Sequence, residues 1–122
     1  GKGETILIVE DEELILNLIK MTLLAGGYNI IETGDGAKAV KLYEENKDKI
    51  SLVICDLGIP SLSGDEVFEN LKKINPNIKF ILISGLIEKE KEEMLLKKGV
   101  LEVIQKPFSI DELLPIIRKI LG

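Results

Sequence analysis

Thr5-Ile6-Leu7-Ile8-Val9-Glu10-Asp11 sets a run rich in Ile, Leu and Val directly against two acids. A strand without polar alternation is one covered by helices on both faces, which is the interior of a parallel sheet. The same pattern returns at Leu52 to Cys55, which runs into Asp56, and at Lys79 to Ile83, which runs into Ser84. These segments are predicted as interior strands, each followed by a polar residue that has no place in a core. Asn29 to Thr33 and Glu102 to Gln105 carry polar residues at their ends and partly inside, as suits the two edges of the sheet.

Helical patterns fill the intervals. Leu14 to Leu24 ends at Gly26-Gly27, Ala37 to Glu45 follows, and Glu66 to Ile74 stops before Pro76. Glu88 to Lys98 is dominated by charge, with Met94, Leu95 and Leu96 as anchors, so it is expected to pack shallowly. Ile110, Leu113, Leu114, Ile117, Ile120 and Leu121 recur at helical spacing behind Ser109, a fitting N-cap. Pro115 removes one hydrogen bond there and predicts a kink or a late first turn. Strand and helix alternate throughout, so the class is α/β. With right-handed crossovers the fold is a flavodoxin-like (βα)5 three-layer sandwich, its five-stranded parallel sheet ordered 2-1-3-4-5. The 122 residues suit one domain spanning 1–122. Ligands of such sheets bind outside the carboxyl ends of the strands where the order reverses, between the first and third strands.

Composition removes whole classes of function. There is no histidine and one cysteine, Cys55, which excludes Ser-His and Cys-His nucleophile pairs, tetrahedral zinc and an internal disulfide. Cys55 sits in an apolar strand and reads as a small buried hydrophobe. A net charge of -5 gives no footprint for the phosphate backbone of nucleic acid, so no direct nucleic-acid partner is expected. No apolar stretch is long enough for a membrane span and no leader pattern opens the chain, which reads as cytoplasmic.

The polar residues after the strands form one constellation. Glu10, Asp11 and Asp56 bring three carboxylates to the same sheet edge as the Ser84 hydroxyl and the Lys106 ammonium. Crowded carboxylates repel unless a hard cation compensates, and magnesium, with manganese as a substitute, takes one or two carboxylates and completes its shell with water and phosphate oxygens. Asp56 is then the candidate nucleophile toward a phosphoryl group, with Lys106 and Ser84 as donors to its oxygens. Taken singly, each residue has a plainer reading: Asp11 as a helix cap, Ser84 as a strand-ending hydroxyl, Lys106 as a surface charge.

Glu10-Asp11, Asp56-Leu57-Gly58-Ile59-Pro60 with Gly64, Ser84-Gly85 and Lys106-Pro107-Phe108 together resemble the response-regulator receiver domains of two-component signalling, over nearly the whole chain. The resemblance implies a phosphorelay role, with Asp56 as phosphoacceptor and Gly58 lending its backbone carbonyl to the metal. It also implies a cis Lys106-Pro107 bond, and a phosphohistidine donor on a histidine kinase or phosphotransfer domain. Phosphorylation would switch the surface of helix 4, strand 5 and helix 5, which would meet a downstream protein target and allows a homodimer. Ser84 and Val103 hold the switch positions, and Val103, aliphatic where many relatives carry an aromatic ring, predicts a muted switch. Such a receiver catalyses its own phosphorylation and dephosphorylation. Val103-Ile104-Gln105-Lys106-Pro107-Phe108-Ser109 further resembles the receiver module at the C-terminus of hybrid sensor histidine kinases, whose parent chain is a phosphotransferase.

One rival motif stands out. Gly34-Asp35-Gly36-Ala37-Lys38-Ala39 fits a dinucleotide-binding loop between a strand and a helix. An acid inside that loop would face the pyrophosphate, and the strand before it reads as an edge, so this reading is disfavoured. A binding module that keeps the fold but performs no chemistry is the main rival class.

Overall fold

Successive side chains of a strand point to opposite faces, so a wholly apolar strand must be covered twice. The computed structural model, which describes residues 2–122, shows how. Its elements are β1 (Thr5–Val9), α1 (Glu13–Ala25), β2 (Asn29–Thr33), α2 (Gly36–Asn46), β3 (Ile50–Asp56), α3 (Gly64–Ile74), β4 (Phe80–Ser84), α4 (Lys89–Lys98), β5 (Glu102–Gln105) and α5 (Ile110–Leu121). All strand pairings are parallel and the sheet order is β2-β1-β3-β4-β5. Ile6 and Ile8 of β1, Leu52 and Ile54 of β3, and Ile81 and Ile83 of β4 pack with Ile19 and Leu23 of α1 and Leu113 and Ile117 of α5. Leu7, Val9, Val53, Cys55, Phe80 and Leu82 face the other way, onto Ala39 and Tyr43 of α2, Val67, Phe68 and Leu71 of α3, and Leu95 of α4. The three-layer α/β sandwich and the two edge strands are as the sequence predicts.

Several boundaries differ, for tertiary reasons. β3 is longer than Leu52 to Cys55, because Ile50 pairs with Thr5 and Asp56 pairs with Ile83. β4 begins at Phe80, not Lys79, and includes Ser84, which pairs with Gln105. Asp56 and Ser84 therefore end their strands instead of following them. α3 starts at Gly64, two residues before the predicted Glu66, because Ser63 and Glu66 form a capping box in which the Ser63 N–H donates to Glu66 Oε1 at 3.0 Å. The N-cap of α1 is Glu12, not Asp11. Ser109 is the N-cap of α5, but its hydroxyl makes no capping bond to the backbone.

Two helices correct the apolar pattern. Of the expected anchors of α4, only Leu95 is buried, while Met94 and Leu96 are 46% and 41% exposed. Adjacent helical residues point about 100° apart, so a single-turn cluster cannot all face the sheet. Pro115 lies inside α5 without ending it or delaying its start. The carbonyl it leaves without an N–H partner belongs to Asp111, which is exposed to solvent.

Candidate functional site: an acidic cleft at the carboxyl edge of the sheet

Register brings the strand ends level. Val9 pairs with Cys55, Asp56 with Ile83, and Ser84 with Gln105, so the next residues out converge at one edge. The turn from Asp56 to α3 lies directly on that edge. A Cβ at Gly64 would stand 2.5 Å from the Asp56 carbonyl oxygen and 2.8 Å from Leu57 Cα, closer than side chains ever come, so only glycine fits. The Gly64 N–H donates to the Leu57 carbonyl at 2.8 Å and closes the turn. Gly36 meets the same limit against the Leu62 carbonyl, at 2.2 Å. The Gly34 to Ala39 motif is thus occupied by structure, since Asp35 caps α2 through the Lys38 N–H and accepts a hydrogen bond from Ser61.

Carboxylate oxygens of Glu10, Asp11 and Asp56 lie within 4.8 Å of one another. Glu10 is 1% exposed and Asp56 is buried, whereas Asp11 opens to solvent. Burial first, and then the charge of Asp56, push the Glu10 carboxyl above the usual glutamate range, while the Glu12 N–H and Lys106 pull the other way. Lys106 Nζ stands 3.1 Å from Glu10 Oε1, 3.1 Å from Asp56 Oδ1 and 3.1 Å from Glu12 Oε1. Burial alone would lower the Lys106 pKa, but the nearby carboxylates of Asp56, Glu10 and Glu12 outweigh that and raise it. The Lys106-Pro107 bond is cis.

Ser84, also buried, spends its hydroxyl on the loop behind it, donating to the Leu86 carbonyl at 2.9 Å and accepting from the Leu86 N–H at 3.2 Å. Gly58 lines the cleft with Asp56, Ser84 and Lys106, and a Cβ there would lie 3.9 Å from Asp56 Oδ2. A Cβ at Gly85 would meet nothing within 4 Å, so the cleft is open beside Ser84. Val103 is apart from this group. It is half-buried in β5, opposite Leu82, and packs against the core on the α2–α3–α4 side. Glu12 was missed by sequence reasoning: within Glu10-Asp11-Glu12-Glu13 nothing in the spacing separates a cleft residue from a helix start.

A carboxylate trio, a strand-ending hydroxyl and a lysine at the switch point of a 2-1-3-4-5 sheet define a doubly wound α/β domain with an acidic cleft at its carboxyl edge. The chain belongs to the response regulator receiver domain family, whose model matches residues 6–118. It is 30% identical over 117 residues to the sensor kinase CckA of Brucella abortus, covering 96% of this chain and 12% of that protein. It is 31% identical over 121 residues to the polar-differentiation response regulator DivK of Brucella anthropi, covering 98% of this chain and 97% of that one. A solved CheX-CheY-BeF3-Mg complex from Borrelia burgdorferi matches with a TM-score of 0.91 at 27% identity, covering 98% of this chain and 90% of that one. Receiver sequences thus occur both as a small part of a longer kinase and as almost a whole chain. Domains of this family act in two-component phosphorelay signalling, take a phosphoryl group on an aspartate with magnesium, and interact with histidine kinases or phosphotransfer partners and downstream targets. Among the described residues, no helix is long and apolar enough to cross a membrane.

The residues present fit magnesium. Among the described residues, Glu10 Oε1 is buried without a hydrogen bond, although Lys106 Nζ is nearby. The Lys106 ammonium offsets the charge of that oxygen without an aligned donor, which leaves it free to coordinate, and the donor set is all oxygen, as magnesium requires.

Proposed function

We propose that Asp56 accepts a phosphoryl group from a phosphohistidine on a histidine kinase or phosphotransfer domain, in the cytoplasm, with Glu10, Asp11, Asp56 and the Gly58 carbonyl as the magnesium ligands. A carboxylate oxygen of Asp56 attacks phosphorus, and the bond from phosphorus to the imidazole nitrogen breaks with its electron pair leaving on the ring. The product is an acyl phosphate. Bound magnesium supplies charge neutralisation at the phosphoryl oxygens. Lys106 donates to one of those oxygens as a point charge. The reading is carried by Lys106 Nζ standing 3.1 Å from Asp56 Oδ1, beside three clustered carboxylates, although β1, β3 and β5 bring them from distant parts of the chain.

Ser84 links this chemistry to a surface. Its hydroxyl must release the Leu86 carbonyl to donate to a phosphoryl oxygen, which draws the loop before α4 toward the site. The responding surface is that of α4, β5 and α5, with Val103 as the residue beneath it, and it serves a downstream protein or a second copy of the domain. Intact-protein mass spectrometry tests the reading. Incubation with magnesium and acetyl phosphate is expected to add one phosphoryl group to the wild type, and none to Asp56→Asn or to wild type with the metal chelated. An equal adduct on Asp56→Asn would move the phosphoacceptor elsewhere.

A further inference from the structure

Glu12 carries a side chain whose local role is missing. It is the N-cap of α1, yet its carboxylate makes no capping bond to the helix, and glutamate is a poor residue for that task. The carboxylate instead crosses to Lys106, 94 positions away in sequence, at 3.1 Å. Of the three carboxylates at that distance from Lys106 Nζ, only Glu12 meets it with the direction of a hydrogen bond, while the contacts to Glu10 and Asp56 are ion pairs without that alignment. The Lys106 side chain is 15% exposed and that of Glu12 is 61% exposed, so Glu12 holds the ammonium from the solvent side of the cleft. Glu12 in turn is set in place by its own N–H, which donates to Glu10 Oε2 at 3.1 Å.

Resting on the function proposed above, we infer that Glu12 is a positioning residue that tethers Lys106 in the resting state, so that phosphorylation requires Lys106 to exchange the Glu12 carboxylate for a phosphoryl oxygen. An ammonium has three donors, and those aimed at Glu12 are unavailable to the transition state until the exchange occurs. The tether sets the readiness of the site without touching the reacting atoms. The exchange has a direction: the doubly charged phosphoryl group outcompetes one exposed carboxylate, so the tether slows arrival and does not block it.

The test follows phosphorylation of wild type and Glu12→Gln by acetyl phosphate with saturating magnesium. In that reaction the Asp56–phosphorus bond forms while the bond from phosphorus to the acetate oxygen breaks, its electron pair leaving as acetate. Rates are measured across donor concentrations, at low and high salt. The maximal rate of Glu12→Gln is expected to rise about twofold to fivefold, the range of a half-exposed ion pair, with little change in the half-saturating concentration. An unchanged or lower maximal rate overturns the inference. So does an effect confined to the half-saturating concentration and erased by salt, because Glu12 would then only repel the anionic donor. If the wild type itself takes no phosphoryl group, the proposed function fails and the tether with it. An adduct with unaltered kinetics removes the tether alone.

Discussion

Glu10 shows how one residue binds stability to function. Its carboxyl titrates above the ordinary glutamate range, chiefly because the fold buries it, so the folded state holds the proton more tightly than the unfolded chain does. Stability from this group is therefore greatest at low pH and declines as pH rises from the unfolded value through the raised folded one; above that window the charged carboxylate is a cost. Without metal at neutral pH, Glu10→Gln is expected to stabilise the fold and raise its Tm, because it removes a buried charge. Magnesium should raise the Tm of the wild type and leave that of the variant nearly unmoved. Calorimetry at several pH values with and without magnesium checks both, and a variant that melts lower than wild type in the absence of metal contradicts the account. The residue type and its place after β1 are legible in the sequence. The hydrogen-bond deficit that suits it to the proposed metal arises only when β3 and β5 close around it.

At the scale of elements, α4 is held to the sheet by little. Leu95 is its one buried residue, helped by the Lys91–Asp65 ion pair at 3.2 Å. Its C-terminus turns at Gly99, whose φ of 119° is a conformation that suits glycine. Leu95→Ala is expected to cost about 2–4 kcal/mol in urea denaturation, against about 0.5 kcal/mol or less for Met94→Ala or Leu96→Ala. Comparable losses at all three positions would mean that α4 packs differently. Amide exchange should be faster in α4 than in α3, whose Val67, Phe68 and Leu71 are all buried. A helix so lightly attached is a fitting element for a surface that responds to the cleft. Charge dominance made the shallow packing of α4 readable, but which apolar residue faces the core depends on the rotational phase of the helix against β4 and β5.

The whole molecule has two cores on one sheet. Tyr43 and the Phe68–Phe80 edge-to-face pair, with centroids 5.1 Å apart, lie on one side, and Tyr28 lies on the other. Because both cores are built on the same strands, neither face can lose its packing while the other keeps its own. A single cooperative transition is expected, with Tyr28 fluorescence in Tyr43→Phe and Tyr43 fluorescence in Tyr28→Phe each reporting the same midpoint as backbone circular dichroism within each variant. Separate midpoints for tyrosine and backbone in either variant would divide the chain into two folding units.

Strand identity, parallel order, edge placement and the acids at the strand ends are all determined by the sequence itself, because burial on two faces demands continuous apolar runs and an ionised carboxylate is costly in the middle of one. The tertiary structure alone decided that Asp56 and Ser84 belong to their strands, that Leu95 is the buried residue of α4, and that Glu12 reaches Lys106. Each of these depends on a partner far along the chain: Asp56 on Ile83, Ser84 on Gln105, Leu95 on the sheet, and Glu12 on a lysine 94 residues away. Local pattern encodes what a residue avoids. Only the closed fold supplies what it meets.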